Sequence, residues 1–173
     1  MSASDPTFDR GRPGPLRKAF FKGPTYMYWG PIANLMAQRC VMLLTTTGRK
    51  SGQPRSTGVS FMPVEGRYIA FSGWGVQSDW YKNLLKNPDV TIRIGDKTIK
   101  ATAKPVEDPQ RRKDLMLQMR KRSDQCGPPP AMRGLLKATG MFDYEGDLNM
   151  AVQQAEALPV VEITPISGAA KPA

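Results

Sequence analysis

The sequence predicts an α+β fold in which a small barrel of mostly antiparallel strands carries helices at its margins. Three observations lead there. Short β-branched runs alternate apolar with polar residues and are joined by turn pairs such as Glu65-Gly66 and Gly95-Asp96. The helical patterns fall before, between and after these runs rather than alternating strictly with them. With 173 residues, 40% of them hydrophobic, the chain is long enough to bury a core as one domain.

In chain order, residues 1–14 carry Ser, Pro, Gly and mixed charge and read as a mobile tail. A single domain over 15–166 follows, then a Gly/Ala/Pro tail over 167–173. The domain opens with a helical segment, 15–40. Leu16, Phe20 and Phe21 share one side of a short helix ringed by Arg17, Lys18 and Lys22, and Gly23-Pro24 is expected to break it. Pro31 is placed to open a second helix through Arg39, with Ile32, Leu35 and Met36 on one face. Such amphipathic helices ordinarily pack on a barrel or cover a pocket. The alternative is a basic, aromatic segment (Tyr26, Met27, Tyr28, Trp29) resting on a lipid surface or lining an apolar channel.

Strands are expected over Val41–Thr47, Arg55–Val64 and Arg67–Ser72, then a loop, Gly73–Gln77. Ser78 is the expected N-cap of a helix from Asp79 to Lys86, stopped by Asn87-Pro88. A hairpin of Asp89–Ile94 and Lys97–Val106 completes the 41–107 stretch. The 108–158 region reads as helical. Asp108-Pro109 opens a helix to Lys121 whose buried face is Leu115, Met116 and Met119, Gly127-Pro128-Pro129-Pro130 breaks it, and Ala131–Ala138 is helical again. An irregular stretch through Gly146 and a last strand over 159–164 close the domain.

Composition excludes several chemistries. The chain has no histidine, which removes Ser-His-Asp and Cys-His catalysis, the usual zinc sites and the usual neutral-pH proton shuttle. No metal ligands are expected. Cys40 and Cys126, far apart and without CxxC spacing, read as two buried thiols of a reducing compartment. No apolar run approaches the ~20 residues that span a bilayer, so a cytoplasmic protein is expected, with peripheral membrane contact through 15–40 as the variant. A net charge of +10 points to anionic partners.

That charge has a focus. Arg49, Lys50 and Arg55 crowd one turn between two strands, Gly48-Arg49-Lys50-Ser51-Gly52, although a turn needs glycine and little else. The stretch is not a phosphate-binding P-loop, since no Gly-Lys pair is present. It reads as a hairpin presenting cations and backbone N–H groups to an anion, against the plainer possibility of a solvated basic turn. A second feature is Ser72-Gly73-Trp74-Gly75, where a flat ring lies between glycines. The following helix start is a natural phosphate seat, although Asp79 in its first turn opposes an anion. Leu84 and Leu85 read as core packing.

Together, Thr47-Gly48-Arg49-Lys50-Ser51-Gly52 with Pro54-Arg55, then Ser78-Asp79-Trp80-Tyr81 with Asn83-Leu84 and Asn87-Pro88, and the hairpin from Val90-Thr91 to Ile94-Gly95 resemble the deazaflavin (coenzyme F420)-dependent nitroreductase family. The resemblance covers Leu43 to Glu107. It implies a split β-barrel of the flavin-reductase type and binding of F420, a deazaflavin with a phosphate and an oligoglutamate tail. Arg49, Lys50 and Arg55, with Ser51 and Gly52, would then hold phosphate and carboxylates. Ser78, Asp79, Trp80 and Asn83 would lie against the phosphate and linker, and Thr57, Gly58 and Trp74 near the ring. Gly73-Trp74-Gly75 stands where nitroimidazole-reducing members have Lys-Gly-Gly, which argues against nitro-drug reduction.

The resemblance implies an enzyme that transfers a hydride from the reduced cofactor to a quinone or a conjugated unsaturated small molecule. Without histidine the proton must come from water or a hydroxyl, for which Ser60, Ser72 and Tyr144 are the candidates. The alternatives are an FMN-dependent split-barrel oxidoreductase, and a non-catalytic binder of the cofactor or an apolar acid at a membrane surface. A small-molecule electron acceptor is the expected partner and nucleic acid is not, because aromatics do not alternate with the cations. A homodimer is compatible with the barrel but nothing in the sequence requires it.

Overall fold

The structure, a computed structural model, describes residues 14–166; apart from Gly14, both expected tails lie outside them. Six strands, β1 Val41–Thr47, β2 Pro54–Val64, β3 Arg67–Phe71, β4 Asp89–Ile94, β5 Lys97–Pro105 and β6 Val160–Pro165, form a closed barrel in the order β1-β2-β3-β6-β5-β4. Every neighbouring pair is antiparallel, and β1 against β4 closes the ring. The helices are α1 Pro15–Met27, α2 Gly30–Gln38, α3 Asp79–Lys86, α4 Pro109–Lys121, α5 Pro130–Ala138 and α6 Tyr144–Gln153. The α+β barrel expected from the pattern is therefore present. No helix among the described residues is long and apolar enough to cross a membrane.

Strand alternation divides the apolar residues between two cores. Along β1, Met42, Leu44 and Thr46 are buried and their neighbours half-buried, the period of two that a strand imposes. Met42 and Leu44 join Val59, Phe61, Ile92, Ile99, Val161 and Ile163 in one cluster, which Leu84 of α3 completes. Met62, Ile69 and Phe71 belong to the second cluster, formed with Leu115, Met116 and Met119 of α4 and Leu148 of α6. Asp108 caps α4 as expected, accepting from the Gln110 N–H at 3.0 Å.

Besides Leu85, read as core packing but exposed on α3 while Leu84 alone of the pair is buried, five expectations are corrected. First, α1 runs through Gly23-Pro24 to Met27, because its packing along β2 outweighs the ~3 kcal/mol that an interior proline forfeits. Second, Leu35 of α2 is exposed and Ala33 is the buried residue, so α2 meets β1 and β4 through a small side chain. Third, the stretch read as irregular through Gly146 already contains the start of α6. Asp143 accepts from the Gly146 N–H at 3.0 Å, and Glu145 and Asp147 occupy the first turn. Fourth, the Ser78 hydroxyl does not cap α3, because it pairs with the Ser72 hydroxyl at 2.7 Å. Fifth, Cys40 and Cys126 are joined in a disulfide rather than standing as thiols, their Cα atoms 5.0 Å apart across 86 residues of sequence. The barrel brings the start of β1 beside the α4–α5 connection, a proximity that linear spacing cannot reveal.

Candidate cofactor site and pocket

The β1–β2 turn is held by its own backbone. The Gly48 N–H donates to the Gln53 carbonyl and the Gly52 N–H to the Gly48 carbonyl, both at 2.8 Å, with Gly52 at φ +68°. Arg49 then ties the turn to α3. Its guanidinium pairs with Asp79 at 3.0 Å and donates to Asn83 Oδ1 at 3.1 Å, and its backbone N–H donates to the same oxygen at 3.1 Å. Asn83 Nδ2 donates to Thr46 Oγ1 at 3.1 Å, and that hydroxyl donates to the Arg55 carbonyl. Lys86 Nζ donates to the Arg49 carbonyl at 3.0 Å. Asn83 and Thr46 are buried, so this chain of bonds is a fixed joint between hairpin and helix.

The joint separates the clustered cations into two kinds. Arg49 is engaged by Asp79 and Asn83. Lys50 and Arg55 are exposed, and neither has an acidic partner among the described residues. Ser51 and Gly52 are exposed beside them, and Ser51 Oγ accepts from the Gln53 N–H. Thr57 and Gly58 are half-buried on β2. Trp80 is half-buried, edge-on to Tyr81 and packed against the barrel-interior cluster.

The three candidate hydroxyls part company. Ser72 is fully buried and donates to the Gly75 carbonyl at 2.7 Å, binding the one-turn 3-10 helix Gly75–Gln77 to the end of β3. Ser60 and Tyr144 instead line one cleft of about 150 Å³, together with Phe71, Gly73, Trp74, Met116, Met119, Phe142 and Leu148. Cys126 and Gly127 form part of its wall.

Tyr144 is tightly placed. A Cβ on Gly127, whose φ is +72°, would fall 2.2 Å from Tyr144 Cε2, so only glycine permits the ring to lie there. The Arg133 guanidinium sits 4.4 Å from the ring centroid. Burial pushes the Tyr144 hydroxyl above the ordinary tyrosine range, with the Arg133 charge pulling the other way, so it stays protonated at neutral pH.

Arg39, Gly127 and Arg133 carry roles the sequence reading missed. Arg39 donates to the carbonyls of Gly127 at 2.8 Å, Pro128 at 3.2 Å and Cys126 at 3.3 Å. Arg133 donates to those of Ser123 at 2.7 Å, Pro128 at 2.9 Å and Cys126 at 3.1 Å. Of the Pro128-Pro129-Pro130 run, the Pro128 carbonyl takes side-chain donors from both arginines, while the Pro129 carbonyl accepts the backbone N–H groups of Met132 and Arg133.

Residues 25–125 match the model of a family described as F420H(2)-dependent quinone reductase. That span exceeds half of the chain, and the chain belongs to this family. An F420H(2)-dependent quinone reductase of Mycobacterium tuberculosis is 44% identical over 69 residues, covering 38% of this chain and 46% of the relative, and a Mycobacterium bovis counterpart matches equally. The chain thus spans about half the length of the curated relatives it matches. Among solved structures, the heme storage protein HutZ of Vibrio cholerae superposes with a TM-score of 0.52 at 17% identity, over 81% of this chain and 91% of that one. A conserved hypothetical protein of Mycobacterium tuberculosis gives 0.50 at 17% identity, over 78% of each chain. At that identity the likeness concerns the fold alone.

Proposed function

We propose that the protein is an oxidoreductase that uses reduced coenzyme F420 to reduce a quinone or another conjugated unsaturated small molecule. The observation that carries this reading is the division of the clustered cations. Arg49 fixes the turn to α3, and Lys50 and Arg55 remain exposed and without acid partners among the described residues. Such a donor set fits a phosphate and carboxylates, which bind best to charge-assisted donors. Lys50 and Arg55, with the Ser51 hydroxyl, would hold the anionic part of the coenzyme, and Gly52, its N–H bonded to the Gly48 carbonyl, would shape the turn that presents them. The backbone of Ser78, Asp79 and Trp80 at the start of α3 would border it, with Arg49 and Asn83 holding that border in place. Thr57, Gly58 and Trp74 would flank the flat ring.

When bound, the coenzyme supplies the hydride. The residues of the cleft do the rest. Phe71, Trp74, Met116 and Met119 exclude water from an apolar acceptor. Ser60 and Tyr144 offer hydroxyl donors to an acceptor oxygen, and Tyr144 is protonated over the whole neutral range. Ser72, engaged by Gly75 and Ser78, acts by shaping the Gly73–Trp74 loop.

Fluorescence titration with oxidised F420 tests the proposal: saturable binding at micromolar cofactor is expected, followed by consumption of reduced F420 upon addition of a naphthoquinone. Absence of binding, or a protein that purifies yellow with bound flavin, would overturn it.

A further inference from the structure

The Cys40–Cys126 bond sits in the wall of the cleft, where Cys126 is a lining residue. A disulfide is indispensable where nothing else holds two segments together. Here Arg39, the residue before Cys40, already grips the α4–α5 connection through the carbonyls of Cys126, Gly127 and Pro128, and the Gly127 N–H donates back to the Arg39 carbonyl at 3.0 Å. Arg133 binds the same segment from the other side, at the carbonyls of Ser123, Cys126 and Pro128. Both sulfurs are therefore held close together by contacts that survive cleavage of the bond. Two guanidinium groups meet at the Cys126 carbonyl, Arg133 being paired with Glu145 at 2.8 Å as well, so the backbone that carries this sulfur is fixed from two sides whether or not the bond is closed.

We infer that Cys40 and Cys126 form a reversible redox pair that decides how the cleft meets an electrophilic acceptor. As a disulfide the wall presents no thiol, and a quinone remains a substrate for reduction. As a dithiol the wall offers Cys126 as a site of covalent capture. The opening step is thiol–disulfide exchange with a small dithiol: the Cys40–Cys126 bond breaks, two protons and two electrons pass to the protein as two S–H groups, and the reagent closes to its own disulfide. The capture step is conjugate addition without an external oxidant or reductant: one bond forms between Cys126 Sγ and a quinone ring carbon, the thiol proton ends on one ring oxygen, and the C–H bond of the attacked carbon then breaks with its proton passing to the other oxygen, leaving a thioether hydroquinone. The quinone as occupant rests on the function proposed above; the thiol chemistry does not.

The test uses the full chain, reduced with dithiothreitol and desalted, or left oxidised, then exposed to 1,4-benzoquinone and read by intact and peptide mass. The oxidised protein is expected to remain unlabelled, and the reduced protein to take one adduct, on Cys126. Quinone turnover should fall in proportion to the adduct. The tryptophan and tyrosine bands of the near-UV circular dichroism should be unchanged by reduction, the disulfide's own contribution alone being lost, and diamide should restore the unlabelled form. Cys40→Ser should be labelled without reductant, and Cys126→Ser not at all under either condition. Loss of the aromatic near-UV bands on reduction, failure to reoxidise, labelling of Cys40 instead, or no labelling of a fully reduced protein would each overturn the inference. F420 binding, followed in parallel by fluorescence, separates the two readings: labelling without cofactor binding removes the proposed function and leaves the redox pair standing.

Discussion

Two ends of this molecule use arginine in opposite ways. At the β1–β2 turn, one arginine is engaged so that other cations stay open: Arg49 meets Asp79 and Asn83, while Lys50 and Arg55 face solvent. At the α4–α5 connection both arginines are turned inward, onto backbone carbonyls, the Tyr144 ring and, for Arg133, Glu145, and the cleft they border is mostly apolar, with Ser60, Tyr144 and Asp147 as its polar lining. The first end is suited to holding charge and the second to holding a neutral planar molecule. The difference shows that +10 of net charge is no guide to where a ligand binds. What matters is which cations lack an internal acceptor.

The largest effect should come from breaking the joint at the first end. Asn83→Leu removes the acceptor of two Arg49 donors and the donor to buried Thr46. Each buried partner left alone costs roughly 1–3 kcal/mol, so the urea midpoint should fall with an unchanged m-value and cofactor affinity should fall with it. A variant with full stability would remove the distinction between structural and open cations. Its counterpart at the second end is Gly127→Ala, which forces a left-handed alanine against the Tyr144 ring. Strain of that kind costs on the order of 1–3 kcal/mol. Here quinone turnover should drop while F420 fluorescence titration stays near wild type, because the proposed anion contacts, Lys50 of the β1–β2 turn and Arg55 at the start of β2, do not line the cleft.

The open cations come next. Lys50→Ala or Arg55→Ala should leave the unfolding midpoint within about 0.5 kcal/mol of wild type, as exposed substitutions do. Each should weaken F420 by roughly 1.5–3 kcal/mol, about ten- to a hundredfold, with a shallower salt dependence. Unchanged binding in both variants would place the anion site elsewhere.

The two ends also differed in how much of them the sequence disclosed. Near the turn, the relevant contacts are local or periodic: alternation along β1 and β4 and the Asp79–Lys86 pattern have the bounds expected of them. At the other end the decisive contacts cross 85 to 89 residues, from Arg39 to the 124–128 segment and from Cys40 to Cys126. No local propensity encodes such pairings. The same holds for α1, where packing against β2 carries the helix through Gly23-Pro24, whereas the Ser72–Ser78 hydroxyl pair spans only six residues and displaced the expected cap within one loop. α6 is a different case, since Asp143 with Glu145 and Asp147 is a start signal that a reading by apolar period alone passes over.

The smallest effect concerns protons at the second end. Burial raises the Tyr144 hydroxyl, against the lowering charge of Arg133, and burial raises Tyr28, Tyr68 and Tyr81 in the same direction. A folded-state value above the unfolded one means that the native state holds the proton more tightly. The resulting stability is therefore complete below the unfolded tyrosine range near ~10, and is lost as pH rises through that range toward the folded value. Tyr144→Phe should make the alkaline decline of the urea midpoint shallower while leaving it unaltered at neutral pH. Absorbance at the tyrosinate band should show one fewer late-titrating ring. Arg133→Lys keeps the positive charge but loses the flat stacking and the three forked carbonyl contacts, so it should preserve most of the electrostatic lowering while loosening the ring. If Tyr144 titrated like an exposed tyrosine in wild type, the cleft would be wetter than its apolar lining implies, and the contrast between a charged end and an apolar end would fail there first.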